Sequence, residues 1–367
     1  MSHFVKELKD RIDQLVTADN STGEELSFFE PGGNDQMVQF FYRKTTDEIS
    51  ELDQWSQNQL LLVSENVEGS KEQYKDLKLD KSGDFATIIV RDDKGKKILQ
   101  SVIDLRDENI LIAYYLGQVK AIQSFNQYLK SLPYLQTCFL SSLLLIPIAQ
   151  SLEELSGVQY NFEQNPTLYL EPITLRGVYK GDLAMELFTD FVMKKMAWFN
   201  VESIQGHMVS GAEGTMSFSH DGTIRVDACR LSDFMETLSR VTEVIKERYD
   251  PLFVKHRIRM EEVGKSSILS IEGIPIELRL LDPVEKIEGL IRFFTVGCKP
   301  LGFVGTSVRI SRKLWRINSV DETTGCKVMF ELSNDVLRFY IRESASIAIL
   351  DRIEQFLQQN VCAVLER

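Results

Sequence analysis

Residues 215–226, Thr-Met-Ser-Phe-Ser-His-Asp-Gly-Thr-Ile-Arg-Val, alternate polar and apolar side chains on both sides of a His-Asp-Gly turn. Asp and Gly tolerate the positive φ angles of a tight hairpin, so this stretch predicts two antiparallel strands joined by a short turn. A pattern of helical period begins near Ser232, directly after the second strand. The predicted unit is therefore a β-hairpin followed by an amphipathic helix.

The same order of elements occurs twice more along the chain. Residues 85–103 and residues 327–341 each place two apolar runs around a turn that contains Asp, Asn or Gly. We expect helices to follow near Asp107 and near Ser344. The side chains of the three units do not align beyond the turn and the helical period. Common ancestry and coincidence both remain open as explanations of the recurrence.

Hairpins mixed with one-sided helices predict the α+β fold class, with mainly antiparallel sheets and amphipathic helices packed on one face. A chain of 367 residues is long for one core, so we expect two or three domains. A charged run at residues 65–81 is typical of a surface loop and marks the first boundary. The predicted division is an N-terminal helical or mixed region with a charged linker at 1–80, a domain with a hairpin and a long helix at 81–200, and an α+β domain at 201–367.

Two apolar stretches in the middle region predict buried helices. Apolar residues from Leu111 to Leu132 recur at steps of three, four and seven residues, which is typical of a helix with one buried face. Residues 131–152 contain no charge, but prolines, serines and glutamines interrupt them. We therefore expect a core helix and no membrane span. The alternative is an exposed helix at residues 138–149 that docks on a partner.

Composition limits the classes of function. The formal net charge of −12 repels phosphate, so binding to nucleic acid or to an anionic membrane would have to be local. The five cysteines form no C-x-x-C pair, and their odd number is typical of a reducing compartment. These observations predict an acidic, cytoplasmic protein.

Histidine is scarce, and two of the four histidines, His207 and His220, flank a glycine-rich stretch. Glu213 lies between them and Asp221 lies beyond, so an acid–base or metal site could form there. The alternative is that His220 and Asp221 serve only the hairpin turn. The sequence contains no Walker loop, G-x-S-x-G elbow or H-E-x-x-H motif. We therefore expect no cofactor and no metal, and we favour a protein that is not an enzyme.

One segment departs from the acidic composition. From residue 289 to residue 320 the chain has no Asp or Glu, although the whole chain has 54 of them against 42 Lys and Arg. Cations and aromatic rings together suit either a phosphate backbone with exposed bases or an acidic protein. A third interpretation is that carboxylates from elsewhere in the chain neutralise the cations. The candidate binding residues are Arg292, Lys299, Arg309, Arg312, Lys313, Trp315 and Arg316.

The secondary structure of residues 309–316 decides how these cations are arranged. A helix would gather the four cations of this stretch on one face, whereas a strand would spread them. We favour a strand, because Trp315 and Ile317 alternate with polar residues and lead into a turn at residues 321–325.

These patterns favour a non-catalytic subunit or adaptor of a cytoplasmic multi-protein assembly, which acts through protein–protein contacts. The first alternative is a nucleic-acid-binding component that uses residues 289–320 to bind DNA or RNA. The second alternative is an enzyme with a site near residues 207–227. The three hypotheses differ in the ligand that they require.

Overall fold

The computed structural model describes most of the chain from Asp35 onward. Helices that apolar spacing predicts before Val16, at residues 45–55 and at residues 182–198 lie outside the described residues, apart from Ala184. The described residues are 35–43, 76–82, 85–91, 97–104, 106–107, 109–117, 119–131, 135–152, 154–171, 174–181, 184, 201–207, 215–227, 231–256, 259–262, 269–272, 274–322, 325–341, 345–362 and 364–366.

Strands are the main element in these ranges. The strands are β1 (Asp35–Arg43), β2 (Asp76–Ser82), β3 (Phe85–Arg91), β4 (Lys97–Asp104), β5 (Ile110–Gly117), β6 (Leu135–Thr137), β7 (Glu154–Glu163), β8 (Thr174–Lys180), β9 (Val201–His207), β10 (Thr215–Ser219), β11 (Thr223–Asp227), β12 (Arg259–Glu262), β13 (Leu269–Glu272), β14 (Ile276–Leu280), β15 (Phe303–Arg309), β16 (Trp315–Asp321), β17 (Lys327–Leu332), β18 (Val336–Phe339) and β19 (Val364–Glu366). The helices are α1 (Val119–Ser131), α2 (Ser142–Ser151), α3 (Leu231–Val254), α4 (Ile287–Phe293) and α5 (Ala345–Asn360).

The larger sheet has 11 strands in the order β2-β3-β4-β5-β1-β11-β10-β9-β7-β8, and β6 also pairs with β1. Strand β1 joins the first hairpin unit to the second, because it pairs antiparallel with both β5 and β11. Phe40, Phe41 and Tyr42 of β1 are fully buried, so this strand lies in the core. The sheet takes strands from all three segments predicted as domains, and the number of domains stays a prediction.

The smaller sheet has six strands in the order β15-β16-β17-β18-β14-β19. Its inner face packs on helices: Ile317 and Phe330 are directly opposite each other, are fully buried and belong to the same apolar core as Ile353 of α5. On the other face of β16, Arg316 and Asn318 are exposed. This sheet therefore has one covered face and one face open to solvent, as the alternation of its side chains requires.

The α+β prediction is confirmed, because helices accompany two large antiparallel sheets. The strands of the three predicted hairpin segments pair antiparallel, as β3–β4, β10–β11 and β17–β18. Helices α3 and α5 follow the second and third hairpins as expected. The helix predicted near Asp107 is wrong. Strand β5 stands there instead, and the helix begins only at Val119.

The error at β5 has a physical cause. All eight residues of Ile110–Gly117 are buried, so the strand is apolar at every position and shows no alternation. A continuous apolar run fits a helical spacing as well as an extended one.

The structure also places strand β2 at the end of the charged run 65–81, where the sequence predicts a loop. Strand β2 pairs with β3 at the edge of the larger sheet.

Helix α2 is buried, as predicted for the uncharged segment. Leu145, Ile148 and Ala149 are inaccessible to solvent, and the helix packs against β9 and α3. The alternative of an exposed docking helix at residues 138–149 is therefore wrong, because Leu140, Leu145, Ile148 and Ala149 already belong to the core. Among the residues that the structure describes, no helix is long and apolar enough to cross a membrane.

Candidate partner-binding surface

Strands β15 and β16 form a hairpin at one edge of the smaller sheet. The two strands pair in antiparallel register from Phe303 opposite Asp321 to Arg309 opposite Trp315. The helical alternative for residues 309–316 is therefore wrong, and the strand prediction holds only at the two ends of this segment, because residues 310–314 form the turn between β15 and β16. The cations are spread along a hairpin instead of gathered on one helical face.

Three cations surround the turn of this hairpin and form what we term the cationic tip: Arg309, Arg312 and Lys313. All three are exposed, and no carboxylate of the described residues lies within ion-pair distance of them. Arg309 donates hydrogen bonds from Nε to the carbonyl oxygen of Ser311 at 3.2 Å and from Nη2 to that of Arg312 at 3.0 Å. Its guanidinium also lies 5.6 Å from the ring centre of Trp315. These contacts orient Arg309 and leave the tip positively charged.

Arg316 differs from the cationic tip because it is already paired. Its Nη2 lies 2.8 Å from Oε1 of Glu331 on the neighbouring strand β17. Glu331 also faces Arg338 at 3.8 Å, and Arg338 contacts Glu277 at 3.1 Å. Alternating charges thus cross β16, β17, β18 and β14 on the open face of the sheet. The interpretation that carboxylates neutralise the cations holds for Arg316.

The aromatic rings of the acid-free segment face inward. Phe294 and Phe303 are fully buried, and their rings stack at 5.8 Å in the core. Phe293 packs against α5, and Trp315 is half-buried under the guanidinium of Arg309. Within residues 289–320, all of which the structure describes, no aromatic side chain is exposed. The segment therefore lacks the open rings on which bases of single-stranded nucleic acid stack.

Arg292 and Lys299 lie apart from the cationic tip. Both side chains are exposed, and both precede Phe303, the first residue of β15. Strand β15 then extends for about 20 Å, at roughly 3.3 Å per residue, before the tip begins. The candidate residues that the sequence grouped together are therefore divided between the two ends of one strand.

Exposed aliphatic side chains lie beside the cations. Val304 is 47% exposed and stands directly opposite Val320, while Val296 forms an isolated bridge to Val304. Single apolar residues on a surface are ordinary, but several on one element are a candidate for an interaction site. Five of the ten large exposed apolar side chains in the described part of the chain belong here. We term this group the aliphatic strip: Val296, Val304, Val308, Ile310 and Val320.

A cavity of about 300 Å³ is the second candidate site. It lies where the turn between β10 and β11 faces α5, and residues 136–139 form a further wall. Polar groups from distant parts of the chain converge in it. Its polar and charged lining residues are Gln136, Thr137, His220, Asp221, Asp321, Asp351, Arg352 and Gln355.

Two predicted acid–base residues, His220 and Asp221, line this cavity. Nδ1 of His220 lies 3.1 Å from the carbonyl oxygen of Glu202. Burial acts to raise the pKa of Asp221, but the ammonium group of Lys130 at 2.7 Å outweighs it, so this pKa lies below its ordinary value. Oδ1 of Asp221 also accepts a hydrogen bond from the amide of Thr223 at 3.2 Å. Both side chains therefore have structural partners, which come from β9, α1 and the hairpin itself.

The other two residues of that predicted cluster are His207 and Glu213. His207 is the last residue of β9, where its backbone pairs with Glu154. Glu213 lies outside the described residues. No three His, Cys, Asp or Glu side chains of the described ranges are grouped so that they could hold a metal ion.

A buried ion cluster, formed by Arg248, Tyr249, Asp351 and Glu354, joins α3 to α5 behind the cavity. Nη2 of Arg248 lies 2.8 Å from Oδ1 of Asp351 and 2.6 Å from Oε2 of Glu354. The hydroxyl of Tyr249 donates to Oδ2 of Asp351 at 2.9 Å and accepts from the amide of Phe139 at 2.7 Å. Burial raises the pKa of Asp351 to about 7; Arg248 opposes this effect, and Glu354 adds to it.

Asp351 and Glu354 were not predicted as site residues, yet the helical period contains a signal for them. Ile347, Asp351, Glu354 and Gln358 are spaced so that they share one face of a helix. Leu350 and Leu357 lie beside them on the helix and are apolar, so this side of the helix is expected to be buried. Carboxylates on a buried face require a cation or hydrogen-bond donors. The pattern therefore indicates a buried partner, although it does not identify Arg248.

Both candidate sites lie mainly in the C-terminal part of the chain. Residues 218–363 are similar to the family described as MJECL33-like protein. The MJECL33-like segment contains the cavity turn, α3, the β15–β16 hairpin and α5. It covers less than half of the chain, and the description names no activity or ligand. Comparison with curated proteins found no significant match.

Proposed function

We propose that the protein is a non-catalytic adaptor of a cytoplasmic multi-protein assembly and that it binds an acidic segment of a partner protein on the β15–β16 hairpin. The observation that carries this proposal is the presence of the cationic tip and the aliphatic strip on one exposed hairpin. Complementary charge orients a partner and accelerates its encounter, while apolar contact supplies area that excludes water.

The charge distribution supports an acidic partner. The net charge of the chain is −12, yet residues 289–320 contain no carboxylate. The cations of the tip have no described intramolecular ion pair, so their charge remains available to a ligand. Because the remainder of the surface repels acidic proteins, the hairpin is the place where such a partner would be held.

A protein partner fits this surface better than nucleic acid does. Three cations at the tip offer few phosphate contacts, and Arg316 is already bound to Glu331. Exposed aliphatic side chains do not bind phosphate, and the aromatic rings of the segment are buried or half-buried. Nucleic-acid binding therefore remains the alternative, and it requires an affinity that falls steeply with salt.

The cavity favours a second candidate function, an acid–base site built on His220, Asp221 and Asp351. The pKa of Asp351 near 7 is suitable for proton transfer at neutral pH. Each of these groups also has a structural partner, and for this reason we rank the enzyme second. Any activity found for the protein that persists unchanged in both His220→Ala and Asp351→Asn variants would exclude it.

The test of the adaptor proposal is fluorescence anisotropy with the full chain and two labelled probes. The first probe is the acidic peptide Glu-Val-Glu-Val-Glu-Val-Glu, and the second is a single strand of twenty thymidines. The tip variant is Arg312→Ala with Lys313→Ala. The matched control is Arg176→Ala with Arg240→Ala, which removes two exposed cations that pair elsewhere, with Glu163 and Glu236.

We expect the peptide to bind the wild-type chain and the control with equal affinity. We expect the tip variant to bind it at least about tenfold more weakly, which corresponds to about 1.4 kcal/mol. Equal weakening by both double variants, or no peptide binding at all, would contradict the proposal. Tighter binding of the oligonucleotide, lost in the tip variant, would replace it with the nucleic-acid alternative.

A further inference from the structure

The outer edge of β15 is only partly covered by the chain itself. The amide of Gly305 donates to the carbonyl oxygen of Thr295 at 3.0 Å, and the amide of Gly297 donates to that of Phe303 at 2.7 Å. The start of the edge is therefore paired with residues 295–297. No described residue continues this pairing beyond Gly305.

The backbone direction identifies the open groups. Successive peptide groups of a strand point to opposite sides, so those of residues 303, 305, 307 and 309 share the outer edge. The amide of Ile310 donates inward, to the carbonyl oxygen of Leu314 at 2.9 Å, which agrees with this alternation. The amides of Ser307 and Arg309 have no hydrogen-bond partner among the described residues. Residues 305–309 are thus an open half-edge.

The side chains along this half-edge offer two different environments. Thr306 and Val308 point to the open face of the sheet, where the aliphatic strip lies, and Val308 is 55% exposed. Ser307 and Arg309 point to the opposite face. A natural edge strand is usually protected by a proline, a bulge or an inward charge, and an open apolar edge is a site where another strand pairs.

We infer that the acidic partner binds as an added β-strand along residues 305–309. This inference rests on the proposed function, because it specifies how the acidic segment is held. In strand addition, backbone hydrogen bonds supply affinity and alternate side chains supply specificity. Apolar side chains of the partner meet the aliphatic strip, and its acidic side chains approach Arg309. The partner segment therefore alternates apolar and acidic residues.

A second copy of this chain is a poorer occupant of the same edge. The β15–β16 hairpin of a second copy carries cations and no carboxylate between residues 289 and 320, so it cannot neutralise the tip of the first copy. An acidic strand instead neutralises the tip. The alternating peptide Glu-Val-Glu-Val-Glu-Val-Glu has the pattern that this geometry requires, so it serves as the probe.

The decisive comparison is between Ser307→Pro and Ser307→Ala in the full chain. Proline removes the outward amide of residue 307 but leaves the inward pairing of its neighbours with β16, and prolines are tolerated on edge strands. Alanine removes the same hydroxyl and keeps the amide. We expect Ser307→Pro to bind the peptide at least about tenfold more weakly than Ser307→Ala, a difference of about 1.4 kcal/mol.

A second measurement does not depend on the fold of a variant. In the wild-type chain, hydrogen exchange at the amides of Ser307 and Arg309 should be fast without the peptide and should slow at least about tenfold at saturating peptide, because strand addition gives both amides an acceptor. The inward amide of Val308 is the internal reference, and its exchange should change little.

The outcomes separate this inference from the proposed function. Weak binding by Ser307→Pro together with protected outer amides supports strand addition. If both Ser307 variants bind like the wild-type chain and the amides stay unprotected, while the tip variant still loses affinity, strand addition is wrong and the adaptor proposal stands. If the peptide binds none of the proteins, both are overturned.

Discussion

The guanidinium of Arg248 in α3 contacts the carboxylate of Asp351 in α5 at 2.8 Å, and their side chains are only 3% and 4% exposed. Helix α3 packs on α2, which lies against β9 of the larger sheet, whereas α5 contacts both β7 of the larger sheet and β19 of the smaller sheet. The contact therefore joins two core helices through a buried ion pair. Such a pair is costly to break, because removal of one partner leaves the other charge buried without compensation.

The first prediction concerns Arg248→Met, which keeps much of the side-chain volume and removes the charge. We expect the free energy of unfolding to fall by about 3–5 kcal/mol, because Asp351 and Glu354 lose their cation. Urea denaturation followed by circular dichroism measures this. Arg240→Met is the control, since Arg240 lies on the same helix and forms an exposed pair with Glu236. We expect the control to lose less than about 1 kcal/mol of unfolding free energy. An equal loss in Arg240→Met and Arg248→Met would contradict the prediction.

The second prediction concerns pH. Asp351 has a pKa of about 7 in the folded chain, compared with 3.8 ordinarily. Between these values the folded state keeps a proton that the unfolded state has released. The free energy of unfolding should therefore fall as the pH rises from about 4 to about 7, by up to roughly 1.4 kcal/mol per pH unit, and then level off.

Asp351→Asn isolates this effect, because the amide imitates the protonated carboxyl in size and cannot titrate. We expect the decline in stability between about pH 4 and pH 7 to become shallower in this variant. Asp335→Asn, at an exposed turn position, is the control and should keep the wild-type slope. Parallel slopes in the wild-type chain and Asp351→Asn would show that other groups determine the pH dependence. Glu354, Tyr249, Tyr42 and Cys138 also lie near Asp351 and are the groups to vary next.

Particular residues show what the sequence could and could not predict. The turn at His220-Asp221-Gly222 was predictable from its Asp-Gly pair, because glycine adopts positive φ angles without strain. In the structure Gly222 has a φ of +72°. The pairing of β16 with β17 around the turn at residues 321–325 was predictable from alternation, whereas the turn at residues 310–314 was predicted as a strand. Strand β5 was not predictable, because a strand buried on both faces loses the alternation that identifies it.

The candidate site was predictable only in part, because ion pairing depends on contacts between distant strands. Nothing local indicates that Glu331 neutralises Arg316 while the cations of the tip stay unpaired. Likewise, Arg248 and Asp351 are separated by 103 positions in the sequence, and only the fold joins them. Sequence patterns show on which strand or helix a charge lies. Its ion-pair partner on another element is known only once the strand register and the packing of the helices are known.

The third prediction concerns the close approach of β15 and β16 at Gly305. A methyl group at this position would overlap the carbonyl oxygen of Asn318 and lie 2.5 Å from Oγ of Ser319. We expect Gly305→Ala to lower the free energy of unfolding by about 1–3 kcal/mol, because the strand must move away from its neighbour. In Gly157→Ala the nearest atom, Cβ of Gln205, lies at 3.4 Å, so this control should be nearly neutral. Thermal unfolding of both variants, monitored by Trp fluorescence, checks the difference; equal melting temperatures would contradict it.

The last prediction concerns Gln39, a fully buried polar residue of β1. Its Nε2 donates to the carbonyl oxygen of Asp221 at 2.7 Å, and its Oε1 accepts from Thr223 at 2.7 Å and from Asn126 at 3.2 Å. The side chain thus ties the cavity turn to the centre of the larger sheet and to α1.

Gln39→Leu has a similar size but removes these three hydrogen bonds and a fourth, from Nε2 to the carbonyl oxygen of Phe40 at 3.3 Å. Each orphaned buried group costs about 1–3 kcal/mol, so we expect the variant to be among the most destabilised single changes in the larger sheet. Gln159→Leu is the control, because Gln159 is exposed and its side-chain amide donates to Oε2 of Glu202 at the surface. Hydrogen exchange adds a local test: the amide of Phe40, which donates to Gly222 at 3.2 Å, should lose protection in Gln39→Leu and keep it in the control. Unchanged protection at Phe40 would mean that the backbone pairing of β1 and β11 holds the cavity turn without the help of Gln39.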